Sequence, residues 1–245
     1  MRLREWAARM VGEVVLSALA VAWVPAAQVT GHVTVIHPRG PARTDHDRSV
    51  VAWITPVIDH AEAPQRAENN LAHPRLIQRN KLFEPRVLVV QVGSAVDFPN
   101  RDPFFHNVFS LFDGKRFDLG LYEAGSTRTV HFDRAGICYI FCNIHPQMSA
   151  VVVVVGTPYF AVSNEKGEIV IPHVPAGEYQ LNFWAEHSAP AMLKTLSKSV
   201  SVSAESTAFG EIRVQESSEP ITTHLNKYGK QYDPQVSSSP VYVQP

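Results

Sequence analysis

Residues 141–148 read Phe141-Cys142-Asn143-Ile144-His145-Pro146-Gln147-Met148. Cys142, His145 and Met148 follow C-x2-H-x2-M spacing at the end of an apolar run, 137–141. One tight turn of that length can wrap a thiolate, an imidazole and a thioether around a single ion. Pro146 stiffens the turn by fixing φ. On the C-terminal side, Val151, Val152, Val153, Val154 and Val155 form a run that suits a buried strand. On the N-terminal side, strand-like segments fall at 87–91, 96–98, 106–112, 116–121 and 127–132, with turn residues such as Gly93-Ser94 between them. Short strands at close spacing with turn signals predict an all-β sandwich or barrel.

A second imidazole, His106, opens another apolar strand in Phe104-Phe105-His106-Asn107-Val108. Only folding can bring it to the 141–148 loop. Two imidazoles, one thiolate and one thioether are the donor set of a copper electron-transfer site, since soft sulfur favours Cu(I) and imidazole suits both oxidation states. A zinc site from His106, Cys142 and His145 is the metal alternative, although a thioether is a poor zinc ligand. The plain alternative makes Cys142 a buried structural thiol and Met148 core filler. Cys138 stands four residues before Cys142, so in a strand the two lie about 13 Å apart on one face, which excludes a disulfide and makes Cys138 a core thiol. The other histidines, His32, His37, His46, His60, His73, His131, His173, His187 and His224, show no ligand spacing. Cys-His nucleophilic catalysis lacks an orienting partner. No G-x-S-x-G, H-E-x-x-H or P-loop is present, so the expectation is a carrier and not an enzyme.

The segment 93–108, Gly-Ser-Ala-Val-Asp-Phe-Pro-Asn-Arg-Asp-Pro-Phe-Phe-His-Asn-Val, resembles the first-ligand segment of plastocyanins and other cupredoxins. The loop from Cys142 to Met148 resembles the short Cys-x-x-His-Pro-x-Met ligand loop of amicyanins. By that resemblance His106, Cys142, His145 and Met148 are copper ligands, and Asn107 bridges the two ligand loops beside the thiolate. His145 is then the electron port, because the second histidine of this loop is usually the more exposed in the family. The resemblance spans roughly residues 85–156 and thins over 28–84.

The rest of the chain sets the context. Residues 1–27 carry Arg2, Arg4 and Arg9, an apolar middle and a small-residue exit at Val24-Pro25-Ala26-Ala27, the order of a secretory signal peptide. An uncleaved N-terminal anchor is the alternative. Segments 29–36 and 50–55 read as strands, and 59–81 as a long charged, Asn-rich connection with one short helix. Residues 157–215 change texture. The turn at 164–167, Ile169-Val170-Ile171 and Val174-Pro175-Ala176-Gly177-Glu178-Tyr179-Gln180-Leu181 resemble a carboxypeptidase-regulatory-like, or transthyretin-like, module. That resemblance implies a fold and no activity. Residues 216–245, rich in Ser, Pro and Gln, read as a poorly ordered tail. With 45% hydrophobic and 18% charged residues the chain can bury a core, and a net charge of -1 argues against binding nucleic acid by phosphate neutralisation.

The sequence therefore predicts an all-β protein. A cupredoxin Greek-key β-sandwich at 28–156 is followed by a small transthyretin-like β-sandwich at 157–215. The expected cofactor is one mononuclear copper ion per chain, cycled between Cu(II) and Cu(I) at His106, Cys142, His145 and Met148. The expected partners are redox proteins, with a membrane involved only if residues 1–27 stay attached. The expected location is periplasmic or secreted. Competing readings are a copper carrier or sensor without redox turnover, and a structural binding protein working through its second unit.

Overall fold

The computed structural model describes residues 27–36, 49–57, 72–111, 114–217 and 225–232. The expected signal segment lies outside them but for Ala27. The described chain is almost entirely β. In order it has β1 (Ala27–Ile36), β2 (Val50–Pro56), β3 (Ile77–Arg79), β4 (Leu82–Glu84), β5 (Val87–Gln91), β6 (Ser94–Pro99), β7 (His106–Ser110) and β8 (Phe117–Tyr122). It continues with β9 (Thr127–Phe132), β10 (Gly136–Cys142), β11 (Ser149–Val155), β12 (Phe160–Val162), β13 (Glu168–Val174), β14 (Gly177–Ala185), helix α1 (Pro190–Leu196), β15 (Lys198–Val202) and β16 (Thr207–Gln215).

Residues 72–155 form one sandwich. Its larger sheet has the order β5-β11-β10-β7-β8, and β6 pairs with β9 across the core. Val90, Val96, Phe98, Val108, Val130, Phe132 and Ile140 are buried together between the two layers. The segment expected as a long connection with a helix instead ends in a hairpin, β3–β4, whose turn places Asn80 and Lys81 at φ of 54° and 56°. Two consecutive left-handed residues are what a tight two-residue hairpin demands, and Asn is among the few non-glycine residues that tolerate it.

The second sandwich corrects the expected domain boundary at 156. The sheets β13-β1-β16 and β12-β2-β14-β15 mix strands from both sides of it. β1 runs parallel to β16 from Val29 opposite Thr207 to Ile36 opposite Gln215, and antiparallel to β13. β2 pairs antiparallel with β14 and with β12. Residues 72–155 are thus inserted between β2 and β12. Sequence order hid this because a parallel pair needs no local turn signal. At the β1–β16 crossing Gly31 leaves room for a ring: a Cβ there would sit 2.1 Å from Cε2 of Phe209. The helix α1 was not expected; Pro190 starts it, and Leu193 anchors it in the core.

The two sandwiches share a wall. Along β11, Val152 and Val154 point into the core with Cys138, Ile140 and Cys142. Val151, Val153 and Val155 point into the other core, with Val50, Leu181 and Trp184. β10 divides similarly: Cys138 and Ile140 face inward, while Ile137 and Tyr139 pack on the opposite core. The strand period of two therefore feeds two cores from one valine run. An ion pair joins the units, with Arg86 Nη2 2.8 and 2.9 Å from the two Glu186 carboxylate oxygens.

Candidate metal centre

His106 is the first residue of β7 and Cys142 the last of β10. These strands are antiparallel neighbours with Cys142 opposite Val108. Side chains two apart share a face, so His106, Val108 and Cys142 all project into the same core. The loop after Cys142 folds back on itself. The Met148 N–H donates to the His145 carbonyl at 3.0 Å, and the Cys142 N–H to the Met148 carbonyl at 3.3 Å. The Asn143 N–H donates to the Asn107 carbonyl at 2.9 Å, tying the segments that carry Cys142 and His106 together.

This brings three donor atoms to one point. His106 Nδ1 lies 3.6 Å from Cys142 Sγ and 3.2 Å from His145 Nδ1, and Cys142 Sγ lies 3.5 Å from His145 Nδ1. The point equidistant from the three lies about 2.0 Å from each, a metal–imidazole bond length. Relative exposures are 0% for His106, Cys142 and Met148 and 4% for His145. Met148, the fourth predicted residue, is buried in the same core as Cys142, and its backbone bonds to both His145 and Cys142. His145 is the slightly more exposed of the two histidines, the order expected of them. The Phe104 ring packs on both imidazoles, with centroids 5.3 Å from His106 and 5.5 Å from His145. The Lys81 ammonium lies 5.3 Å from the same ring centroid.

Asp102 fixes the orientation of His106. Its Oδ2 accepts from His106 Nε2 at 2.8 Å. A carboxylate can only accept, so the ring proton sits on Nε2 and the Nδ1 lone pair faces the sulfur. The same carboxylate accepts the Asn80 N–H at 2.6 Å and the Lys81 N–H at 3.0 Å. The β3–β4 turn is thereby latched to His106 through Asp102. Asn100 completes the support: its Oδ1 accepts the Asp102 N–H at 3.0 Å, and its Nδ2 donates to the Phe104 carbonyl at 2.7 Å.

The electrostatics favour lone pairs over protons on the imidazoles. Burial lowers the pKa of His106 against the opposing pull of Asp102. Burial, then His106 and Lys81, pushes His145 down to about 4. Burial raises the Cys142 thiol, while the backbone amides of Asn107, Ile144 and His145 favour its thiolate. Burial pushes Cys138 up to about 11, as suits a core thiol.

The sequence reading missed Asp102, Asn80 and Lys81. Asp102 carried a usable signal, since it lies four residues before a proposed ligand in a segment already singled out. It also missed the tail. Residues 225–232, expected to be poorly ordered, lie against the 141–148 loop through hydrogen bonds from Lys227 to Asn143 and from Tyr232 to Cys142. The rest of 216–245, beyond Glu216 and Ser217, lies outside the described residues.

No protein-family model matches the chain, and no curated protein matches it. Among solved structures it is similar to a purple cupredoxin from Nitrosopumilus maritimus, at 23% identity over 34% of this chain and 99% of that one, with a TM-score of 0.31. It is similar to a reduced amicyanin variant at 24% identity over 35% of this chain and 87% of that one, with a TM-score of 0.33. It is also similar to a copper-containing nitrite reductase from Thermus scotoductus, at 20% identity over 49% of this chain and 28% of that one, with a TM-score of 0.33.

Proposed function

We propose that this chain binds one copper ion through His106, Cys142 and His145, with Met148 as a weaker fourth ligand, and carries single electrons. The observation that supports this is the buried triangle of two imidazole nitrogens and one sulfur, 3.2–3.6 Å on a side. Such a His2Cys set beside a methionine suits copper better than zinc, because soft sulfur stabilises Cu(I). Bound copper would supply the Cu(II)/Cu(I) couple. The chain's own residues supply rigidity. Asp102 holds the His106 tautomer, Asn107 ties the two ligand segments, and the β7–β10 pairing fixes His106 against Cys142. A site whose donors barely move accepts and loses an electron with little rearrangement. Loading must displace the Cys142 proton, so affinity falls at low pH.

The burial of the donors supports a carrier, since an electron can reach an ion that a substrate cannot touch. On this reading the partners are redox proteins in the periplasm or outside the cell, and the seven-stranded unit is a transthyretin-like sandwich. No helix among the described residues is long and apolar enough to cross a membrane.

Titration of the metal-free protein with Cu(II), beside Cys142→Ser, tests the proposal. An intense visible thiolate-to-copper band saturating at one copper per chain, absent from the variant, is the expected result. No band in either protein would remove the redox reading. Tight binding of Cu(I) alone would make the protein a copper carrier.

A further inference from the structure

The residues that directly follow His106 and Cys142 are both asparagines, and a distant segment closes a ring through them. The Asn143 N–H donates to the Asn107 carbonyl at 2.9 Å. Asn107 Nδ2 donates to Asp118 Oδ1 at 2.6 Å. The Lys227 ammonium donates to the other Asp118 oxygen at 2.7 Å. The Lys227 backbone N–H donates to Asn143 Oδ1 at 3.0 Å, which completes the ring. A second strut runs beside it: the Tyr232 hydroxyl donates to the Cys142 carbonyl at 2.9 Å. The peptide between Cys142 and Asn143 is therefore held at both poles, its carbonyl by Tyr232 and its N–H by Asn107.

The segment bearing these groups is itself shaped for the task. Asn226 Oδ1 accepts the N–H groups of Tyr228 and Lys230, each at 3.0 Å, and so folds 226–230 into a compact turn. That turn aims the Lys227 ammonium at Asp118 and its amide at Asn143. The paired charges respond to one another. Burial alone would raise the Asp118 pKa, but the bonds from Lys227 and Asn107 outweigh it and hold the carboxyl low. The partnership with Asp118 holds Lys227 charged.

We propose that residues 225–232 form a strap belonging to the metal centre, with Lys227 and Tyr232 as positioning residues for Cys142. The strap's hydrogen bonds go to the Cys142 carbonyl and to the Asn143 and Asp118 side chains. It acts on the backbone that carries the sulfur, so it sets how firmly Cys142 is presented and how readily the loop opens. The inference about copper release rests on the copper reading above; the inference about thiol access does not.

The test uses the full chain with Tyr232→Phe, Lys227→Met, both together, and Lys227→Arg. In the metal-free state, a Cys138→Ser background reports Cys142 alone through its rate of reaction with a small thiol reagent. The double variant should react about tenfold faster than its parent, and Lys227→Arg should stay near the parent rate. In the copper-loaded state the double variant should still bind one copper per chain. It should lose that copper to a chelator about tenfold faster, with a shifted thiolate-to-copper band. Unchanged thiol reactivity in the double variant would overturn the proposal, whether or not copper binds. A lowered melting temperature with unchanged band and thiol rate would also overturn it, since that is a purely structural contact. Copper failing to bind the parent would refute the copper reading alone, leaving the thiol rates to decide on the strap.

Discussion

Replacing Asp102 by Asn keeps the side chain's volume and turns one of its two acceptors into a donor. The structure says what each placement of the amide costs. Oδ1 accepts from the Asn80 N–H, and Oδ2 accepts from both the Lys81 N–H and His106 Nε2. If the amide oxygen takes the first place, the NH2 group meets His106 Nε2. The imidazole can then pair only by moving its proton to Nδ1, the atom that faces Cys142 and His145. If the oxygen takes the second place, the His106 tautomer survives but the Asn80 N–H meets a donor. Leaving such a group without an acceptor costs about 1–3 kcal/mol of folding stability. Either way the site loses order, and loss of such a supporting partner typically costs about 10–100-fold in metal affinity, or about 1.4–2.7 kcal/mol. Competition against a copper chelator and thermal unfolding of the metal-free protein measure the two arms. Copper affinity within twofold of the parent, together with an unchanged unfolding temperature, would refute the role assigned to Asp102.

Three more outcomes are expected. The metal-free protein should lose stability as pH falls from about 6.5 to about 4, because His145 titrates near 4 when folded and near 6.5 when unfolded, so the unfolded chain binds more protons in that window. The loss is roughly 3 kcal/mol from His145, with His106 acting in the same direction, and His145→Gln should flatten the pH profile seen by urea unfolding. Val152→Ala and Val153→Ala should each cost about 1–3 kcal/mol by opening a core cavity. Only Val152→Ala, which shares a core with Cys142, should alter the visible band of the copper-loaded protein. Gly31→Ala should lower the melting temperature by crowding the Phe209 ring, at a cost of about 1–3 kcal/mol, and Phe209→Leu should recover part of it.

Much of the site could be read from the chain alone, because its chemistry is local. Cys142, His145 and Met148 lie on one loop, and loop spacing is a statement about geometry. His106 came from a second local pattern, an apolar strand opened by a histidine. Strand positions were equally legible where alternation was clean, as in β9 and β14. What sequence could not convey was partnership at a distance. β1 has the same alternating pattern whether it joins the nearer sandwich or the farther one. Asp102 looked like any loop carboxylate until the β3–β4 turn arrived to share it. Lys227 and Tyr232 sat in a stretch whose composition argued for disorder, and their contacts with Asn143, Asp118 and Cys142 give them a place. The helix α1 is short and carries one buried anchor, too little periodicity to stand out.

The parallel pairing of β1 with β16 has a consequence for the order in which this molecule assembles. β1 is synthesised long before β16, for which it must wait before its sheet can close, so the outer sandwich is dominated by contacts remote in sequence and should fold slowly. The inserted sandwich is different. Its strands follow one another, and the clustered His106, Cys142 and His145 lie within it, so it can take shape while the outer unit is still open. Its β5 and β11 would then present half a core, the row Val87, Val89, Val151, Val153 and Val155, as a ready-made nucleus on which the late strands condense. The inner unit becomes the template of the outer one. Damage to that valine row should therefore appear first as slow or failed maturation, before it appears as a weaker finished protein.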